Sequence, residues 1–339
     1  WDAGSVNARY LRLTGLTNTG SKGVIVAEWE VYGARPPAPA VSRSAVNARE
    51  NGEGRFFVRL SSQPAANTTV SVARVSGDTD LSVSEGATLV FTPANWSAWQ
   101  RVTLAAADDP DTDNGAATFR VATPGAGTST DVTTTELDDD IGTNAARSSA
   151  GSTISGGSYA SRLIDGTHTS SANYGYTVWT NTPTPALTLD LKAATVLSRL
   201  RLLNWDWSNR YQRYQVESSM DGSTWSNLVD ASTGQHTGWE DAALDGRQAR
   251  YLRLTGQYSS PGGVFAVAEW EVYGARVPGP VVNRSAVNAR ENGEGRFFVK
   301  LDAAPAANTT VSVARVSGDA DVSVSEGATL VFTPANWSA

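Results

Sequence analysis

Two acidic runs carry the first chemistry that residue types alone suggest. Asp108, Asp109, Asp111 and Asp113 fall within one short stretch, and Glu136, Asp138, Asp139 and Asp140 within another. Carboxylates this dense repel one another, so they need a reason if the fold brings them together. Their oxygens are hard ligands of the kind calcium takes in sets of about six to eight. Glu50 follows an expected strand and could join them. The competing expectation is a solvated acidic loop. A second cluster is aromatic: Trp205, Trp207 and Tyr211 share a polar loop with Asn209 and Arg210. A ring can cover the apolar face of a sugar while Arg or Asn bonds its hydroxyls, so these five are the candidate ligand residues. Tyr174, Tyr176, Trp239 and Tyr258 are further loop aromatics. The competing expectation is that Trp205 and Trp207 alternate along a strand, with one ring in the core.

Composition removes several alternatives. The chain of 339 residues has no Cys and two His, His168 and His236, and a net charge of -7. Disulfides, thiolate zinc sites and Cys nucleophiles are excluded, and a Ser-His-Asp triad finds no nucleophile motif beside either His. The negative balance argues against nucleic acid as a partner. No apolar run approaches the roughly 20 residues of a membrane span, so no membrane insertion is expected in this segment. No catalytic residues are assigned, and the segment reads as non-enzymatic.

The elements that must position these groups read as short strands. Arg55 to Leu60, Thr69 to Val72, Thr88 to Phe91, Arg101 to Leu104, Thr118 to Val121, Leu187 to Leu191 and Tyr214 to Glu217 are rich in β-formers and bounded by turn residues. No sustained helical period appears. The fold class is therefore all-β, a tandem array of β-sandwiches. An internal repeat organises the array. Ala8 to Gly15 recurs as Ala249 to Gly256, Val26 to Gly33 as Val267 to Gly274, and Arg43 to Gly52 as Arg284 to Gly293, always at an offset of 241. Residues 1–98 and 242–339 agree at about 70 positions. The chain opens and closes inside a repeating unit, so a window on a longer array is expected. Pro-rich joints at Pro36 to Pro39 and Pro278 to Pro280, with the acidic run before Ile141, divide it into residues 1–35, 37–141, 142–276 and 280–339. The charge is uneven: residues 37–141 carry 7 Arg against 14 Asp and Glu, whereas residues 142–276 balance at 11 each.

Residues 142–276 resemble a discoidin domain, the type found as the C domains of coagulation factors and in galactose-binding-like carbohydrate modules. The likeness rests on Ala160 to Gly166, Trp179, Tyr214 to Trp225, Ala249 to Leu254 and Ala268 to Gly274. It implies an eight-stranded jelly roll, with residues 1–35 matching only its closing strands. It also implies a structural calcium site, in which Asp165 and Glu269 give carboxylates, Thr167 and Ser170 give loop oxygens, and Arg162 and Ala268 give carbonyls. A metal-free loop stapled to the last strand is the alternative. Residues 37–141 resemble a Calx-β-type, immunoglobulin-like domain through Val46 to Gly52, Phe57 to Leu60, Gly86 to Pro93, Asp108 to Gly115 and Glu136 to Asp140. Residues 280–339 would be the opening part of a second one. That resemblance implies calcium held at one end by Glu50, Asp108, Asp109, Asp111, Asp113, Asp138, Asp139 and Asp140.

Together these readings describe a structural and adhesive segment of a secreted or surface-attached bacterial protein. It would form a calcium-stiffened rod or filament whose discoidin loops bind a glycan or a surface protein, with neighbouring copies or adjacent repeats as further partners. The alternative is a carbohydrate-binding accessory tail of a secreted polysaccharide-degrading enzyme.

Overall fold

The computed structural model describes residues 11–14, 26, 28–30, 36–124, 126–157, 159–167, 179–180, 186–206, 209–260 and 264–338. Among these, regular structure is almost entirely β, with two short 3-10 turns at Ser148–Ala150 and Ala160–Ile164. The strands expected from alternation are all present. Residues 11–14, 26 and 28–30 form no strand.

The first module contains β1 (Pro39–Val41), β2 (Ala45–Arg49), β3 (Glu53–Leu60), β4 (Thr68–Gly77), β5 (Leu81–Glu85), β6 (Thr88–Phe91), β7 (Gln100–Ala106), β8 (Ala116–Thr123) and β9 (Thr128–Leu137). They make two sheets, β1-β3-β7-β5 and β2-β9-β8-β4-β6. Period-two burial along β8 sends Ala117, Phe119 and Val121 inward. These meet Phe56, Val58, Val102 and Leu104 from the other sheet. Each large apolar side chain so buried contributes roughly 1.5–3 kcal/mol. One pairing decides where the acidic runs go. β2 and β9 are parallel, with Arg49 opposite Leu137. Parallel strands finish at the same end, so Glu50 and Asp138, the next residues of each, emerge side by side. The Glu50 amide donates to the Leu137 carbonyl at 3.1 Å. β7 finishes at that end too: the Ala107 amide donates to the Asp80 carbonyl at 3.2 Å, just before Asp108.

The second module contains β10 (Thr153–Ser155), β11 (Trp179–Thr180), β12 (Ala186–Asn204), β13 (Gln212–Ser219), β14 (Ser226–His236), β15 (Gly238–Ala243), β16 (Gln248–Ser259), β17 (Val264–Phe265) and β18 (Val267–Arg276). The long β12 is the organiser. Its pairing with β16 breaks register between Asp190 and Thr195, around Lys192 at φ +65°. Beyond the break β12 pairs with β18 on one side and β15 on the other. The bend closes the strands around a core of Leu163, Leu189, Leu202, Tyr214, Leu254 and Trp270.

Among the described residues, no sheet crosses from one module to the other. They dock instead through side chains. Leu137 packs with Leu203, Trp239 and Ala268, and Trp205 lies against this cluster. Around it sit charges that burial would penalise if unpaired. Arg49 bonds Glu271 at 2.8 Å and Asp139 at 2.7 Å. Glu271 also accepts the Tyr273 hydroxyl at 3.0 Å. Arg201 donates to the Asp138 carbonyl at 2.6 Å and to Asp241 at 2.9 Å. Asn47 donates to the Trp239 carbonyl at 3.0 Å.

Residues 280–338 repeat residues 39–97 in sequence but keep only β19 (Pro280–Val282), β20 (Val299–Leu301), β21 (Thr309–Ser312) and β22 (Thr329–Phe332), paired two by two. β2 and β3 of the first module pair with β9 and β7. Residues 280–338 include no counterpart of either, and Phe297 and Phe298 are exposed where Phe56 and Phe57 are buried.

Candidate functional site

The acidic end of the first module brings both runs together. One carboxylate oxygen from each of Glu50, Asp108 and Asp139 lies within 4.8 Å of the others. Glu50 is held by backbone: its side chain accepts from the amides of Asp109 and, at 3.1 Å, Asp139. Asn51 donates to Asp108. Asp109 and Asp111 each accept an amide two residues on, from Asp111 at 2.9 Å and Asp113 at 2.7 Å. The Asp138 side chain accepts from the Asp140 amide at 2.6 Å. Beneath these groups lies Glu136, 2% exposed, with neither carboxylate oxygen bonded. Burial, then the charges of Asp78, Glu50, Asp109 and Asp80, push it up to about 7. Burial also raises Glu50 and Asp138. Gly115 allows this approach, since a Cβ there would collide with the carboxylates of Asp78 and Glu136. An unbonded buried carboxylate among like charges is satisfied by a proton or a cation. The oxygen-only donor set fits a hard cation such as calcium. Asp78 and Asp80 escaped the sequence reading. Their signal was a short acidic pair after Gly77.

The Asp165 loop expected to hold calcium is built on the Ala160–Ile164 turn. It brings Asp165 and Gly166 to β18. Glu269 is fully buried; one oxygen accepts the Gly166 amide at 3.0 Å and the other has no partner. Burial, then Glu271 and Asp165, push Glu269 up to about 10. Asp165 is occupied in part by the Thr167 amide at 2.7 Å. The Arg162 guanidinium turns away over the Tyr159 ring at 4.9 Å. Ala268 is buried in the joint cluster. Ser170 lies outside the described residues. Gly166 sits at φ +79° hard against the Arg147 guanidinium, a neighbour the sequence did not reveal. Arg147 partly offsets the charge at Glu269. The unpartnered oxygen fits a cation, and the Gly166 bond fits the stapled loop.

The aromatic loop turns toward the first module. Trp205 is half-buried and packs on the joint cluster. Asp206 is buried and faces Arg55 at 3.5 Å. The Arg210 guanidinium lies over the Trp205 ring at 4.6 Å. Tyr211 stacks on Tyr258 with centroids 5.6 Å apart. Trp239 is buried. Trp207, Tyr174 and Tyr176 lie outside the described residues. Between this loop and β2 is a cleft of about 350 Å³, lined by Arg43, Asn47, Asn209, Arg210, Tyr211 and Glu240 among others. Arg43, in the turn before β2, and Asn47 and Arg55, on strands, were not anticipated, because nothing in the local sequence says which neighbour these residues will meet.

Residues 144–270 match the family model of the F5/8 type C domain. Among curated relatives, BTB/POZ domain-containing protein 9 of Drosophila melanogaster is 30% identical over 120 residues, covering 34% of this chain and 17% of that protein. Its Homo sapiens counterpart is 26% identical over 83 residues, covering 24% and 14%. The chain thus spans a small part of these relatives. Among solved structures, CpGH89CBM32-6 produced by Clostridium perfringens has 21% identity and a TM-score of 0.32, covering 39% of this chain and 100% of that one. Chitosan-binding module 1 from a chitosanase/glucanase of Paenibacillus sp. IK-5 has 23% identity and a TM-score of 0.32, covering 39% and 99%.

Proposed function

We propose that this chain is a non-catalytic binding and structural segment of a secreted or cell-surface protein. Its discoidin domain recognises a glycan, and the sandwich preceding it is a Calx-β-type spacer that holds calcium at its acidic end. The observation that carries the binding role is the polar, aromatic-walled cleft beside Arg210 and Tyr211, on a domain type whose loops are free to vary. The spacer role is supported by the docked joint, which fixes neighbouring modules into one stiff unit. Calcium is supported by the unbonded Glu136 carboxylate beneath Glu50, Asp108 and Asp139. Asp109, Asp111, Asp113, Asp138 and Asp140 belong to the same two runs and would complete an oxygen shell. Repetition of such units would give a rod or filament. No helix among the described residues is long and apolar enough to cross a membrane. Glycan-array binding by the full chain tests the reading. Signal lost on Arg210→Ala supports it, and an array with no signal refutes it.

A further inference from the structure

We propose that the acidic end of the first module and the joint form one linked device, in which a hard divalent cation on Glu50, Asp108 and Asp139 tightens the docking of the second module through Arg49 and Glu271. This deepens the calcium reading and rests on it. Asp139 carries the argument, because it belongs to both places. It gives one of the three carboxylate oxygens that lie within 4.8 Å of one another, and its Oδ2 accepts from the Arg49 guanidinium at 2.7 Å. A carboxylate has two oxygens, so one residue can serve a cation and an arginine together. Arg49 is shared in the same way. It is 3% exposed, and its three nitrogens go to separate groups: Nη2 to Asp139, Nη1 to the Glu50 carbonyl at 2.8 Å, and Nε to Glu271 of the second module at 2.8 Å. The Asp138 carbonyl, one residue before Asp139, takes Arg201 of the second module at 2.6 Å. The segment that brings Asp139 to the acidic end is thus the segment that the second module grips.

Charge sets the sign of the link. The acidic end presents Glu50, Asp108 and Asp139, with the unbonded Glu136 beneath them. On the other side of the two arginines stand Glu271, fully buried, and Asp241. Like charges on the two sides of an interface oppose its closure. Positive charge gained by Glu50, Asp108 and Asp139 relieves that opposition. Linkage is reciprocal, so docking raises the cation affinity by the factor by which the cation favours docking.

The chain has no Cys, so Ala73→Cys and Ser223→Cys, both at exposed positions, take a dye pair with one dye on each module. Single-molecule energy transfer then counts docked and undocked full chains, and titration calorimetry with calcium alone records binding. Glu269→Gln is present throughout, so that the Asp165 loop does not add to the signal. Calcium binds and lowers the undocked fraction roughly tenfold. Glu271→Gln still binds calcium, but its undocked fraction changes less than about twofold. Asp245→Asn, an exposed carboxylate of the same module, responds as the parent does. Should Glu271→Gln leave the modules undocked throughout, Tyr273→Phe, which takes from Glu271 only the hydroxyl bond of 3.0 Å, supplies the comparison. Calcium that binds without lowering the undocked fraction overturns the link and leaves the calcium reading standing. An undiminished response in Glu271→Gln and Tyr273→Phe overturns the route through Arg49 and Glu271. Absence of calcium binding refutes both the link and the reading beneath it.

Discussion

Glu136→Gln isolates the electrostatic burden at the acidic end. Glu136 stands near 7 in the folded chain against an ordinary value of 4.5. Its folded pKa is raised, so the folded state keeps a proton that the unfolded state releases. Stability therefore falls as pH rises from about 4.5 to 7 and stays lowered above that window. The difference of about 2.5 units corresponds to at most about 3 kcal/mol. Gln carries no charge, and its amide can donate to the neighbouring Asp78 carboxylate, which crowds the same space at Gly115. In chelator at pH 8, the variant is expected to melt above the parent by roughly 6–12 °C. Below pH 4.5 the two should coincide. Calcium should narrow the gap. A ligand at 100 times its Kd adds about 2.7 kcal/mol to the parent, and the variant gains less because a carboxylate has gone. Calorimetric melts across pH 4–8, with and without calcium, read all three effects. A variant that melts below the parent in chelator at pH 8 would refute the electrostatic account. A parent indifferent to calcium would remove the metal from this end.

Two further substitutions test other charges. Glu269 is pushed up to about 10 by burial and by Glu271 and Asp165, so it holds a proton at pH 7 without metal. Glu269→Gln should then leave the melting temperature in chelator within about 1 °C of the parent, while any calcium gain arising at the Asp165 loop disappears in calorimetric scans. Asp190 moves the other way: burial opposes its charge, but hydrogen bonds from Arg250 and Lys192 outweigh that and lower it to about 2. A depressed folded pKa stabilises above the ordinary 3.8 and is lost as pH falls through about 2. Asp190→Asn should cost at most about 2 kcal/mol in urea unfolding at pH 7, and nothing near pH 2.

What the sequence made legible follows from which forces are local. Alternation in Thr118 to Val121 and Leu187 to Leu191 reports a buried strand face directly, so those strands were readable. The meeting of Glu50 with Asp139 was not, because it depends on the parallel pairing of β2 with β9 across more than 80 residues. Only family resemblance anticipated it. Trp205 shows a choice the pattern left open. It lies two residues beyond Leu203 and joins it in the joint cluster, as strand alternation would have it, while Arg210 and Tyr211 line the cleft. Arg43, Asn47, Arg49 and Arg55 had no local signal at all. Arginines on a strand read as solvated until the facing module is known.

Two arginines of the first module turn that last point into a controlled comparison. Arg49 is 3% exposed between Glu271 and Asp139, whereas Arg74, on β4, is exposed. If strand position alone set the energetics, reversing either charge would matter equally. If the docked neighbour sets them, Arg49→Glu leaves Glu271 buried beside a new carboxylate and costs about 3–5 kcal/mol. Arg74→Glu, on the surface, should then stay within about 0.5 kcal/mol. Urea unfolding of the two variants in the same full chain separates these cases, with the first also uncoupling the modules into two transitions. Equal effects would mean that the joint is not what holds Arg49, and the stiff two-module unit would lose its physical basis.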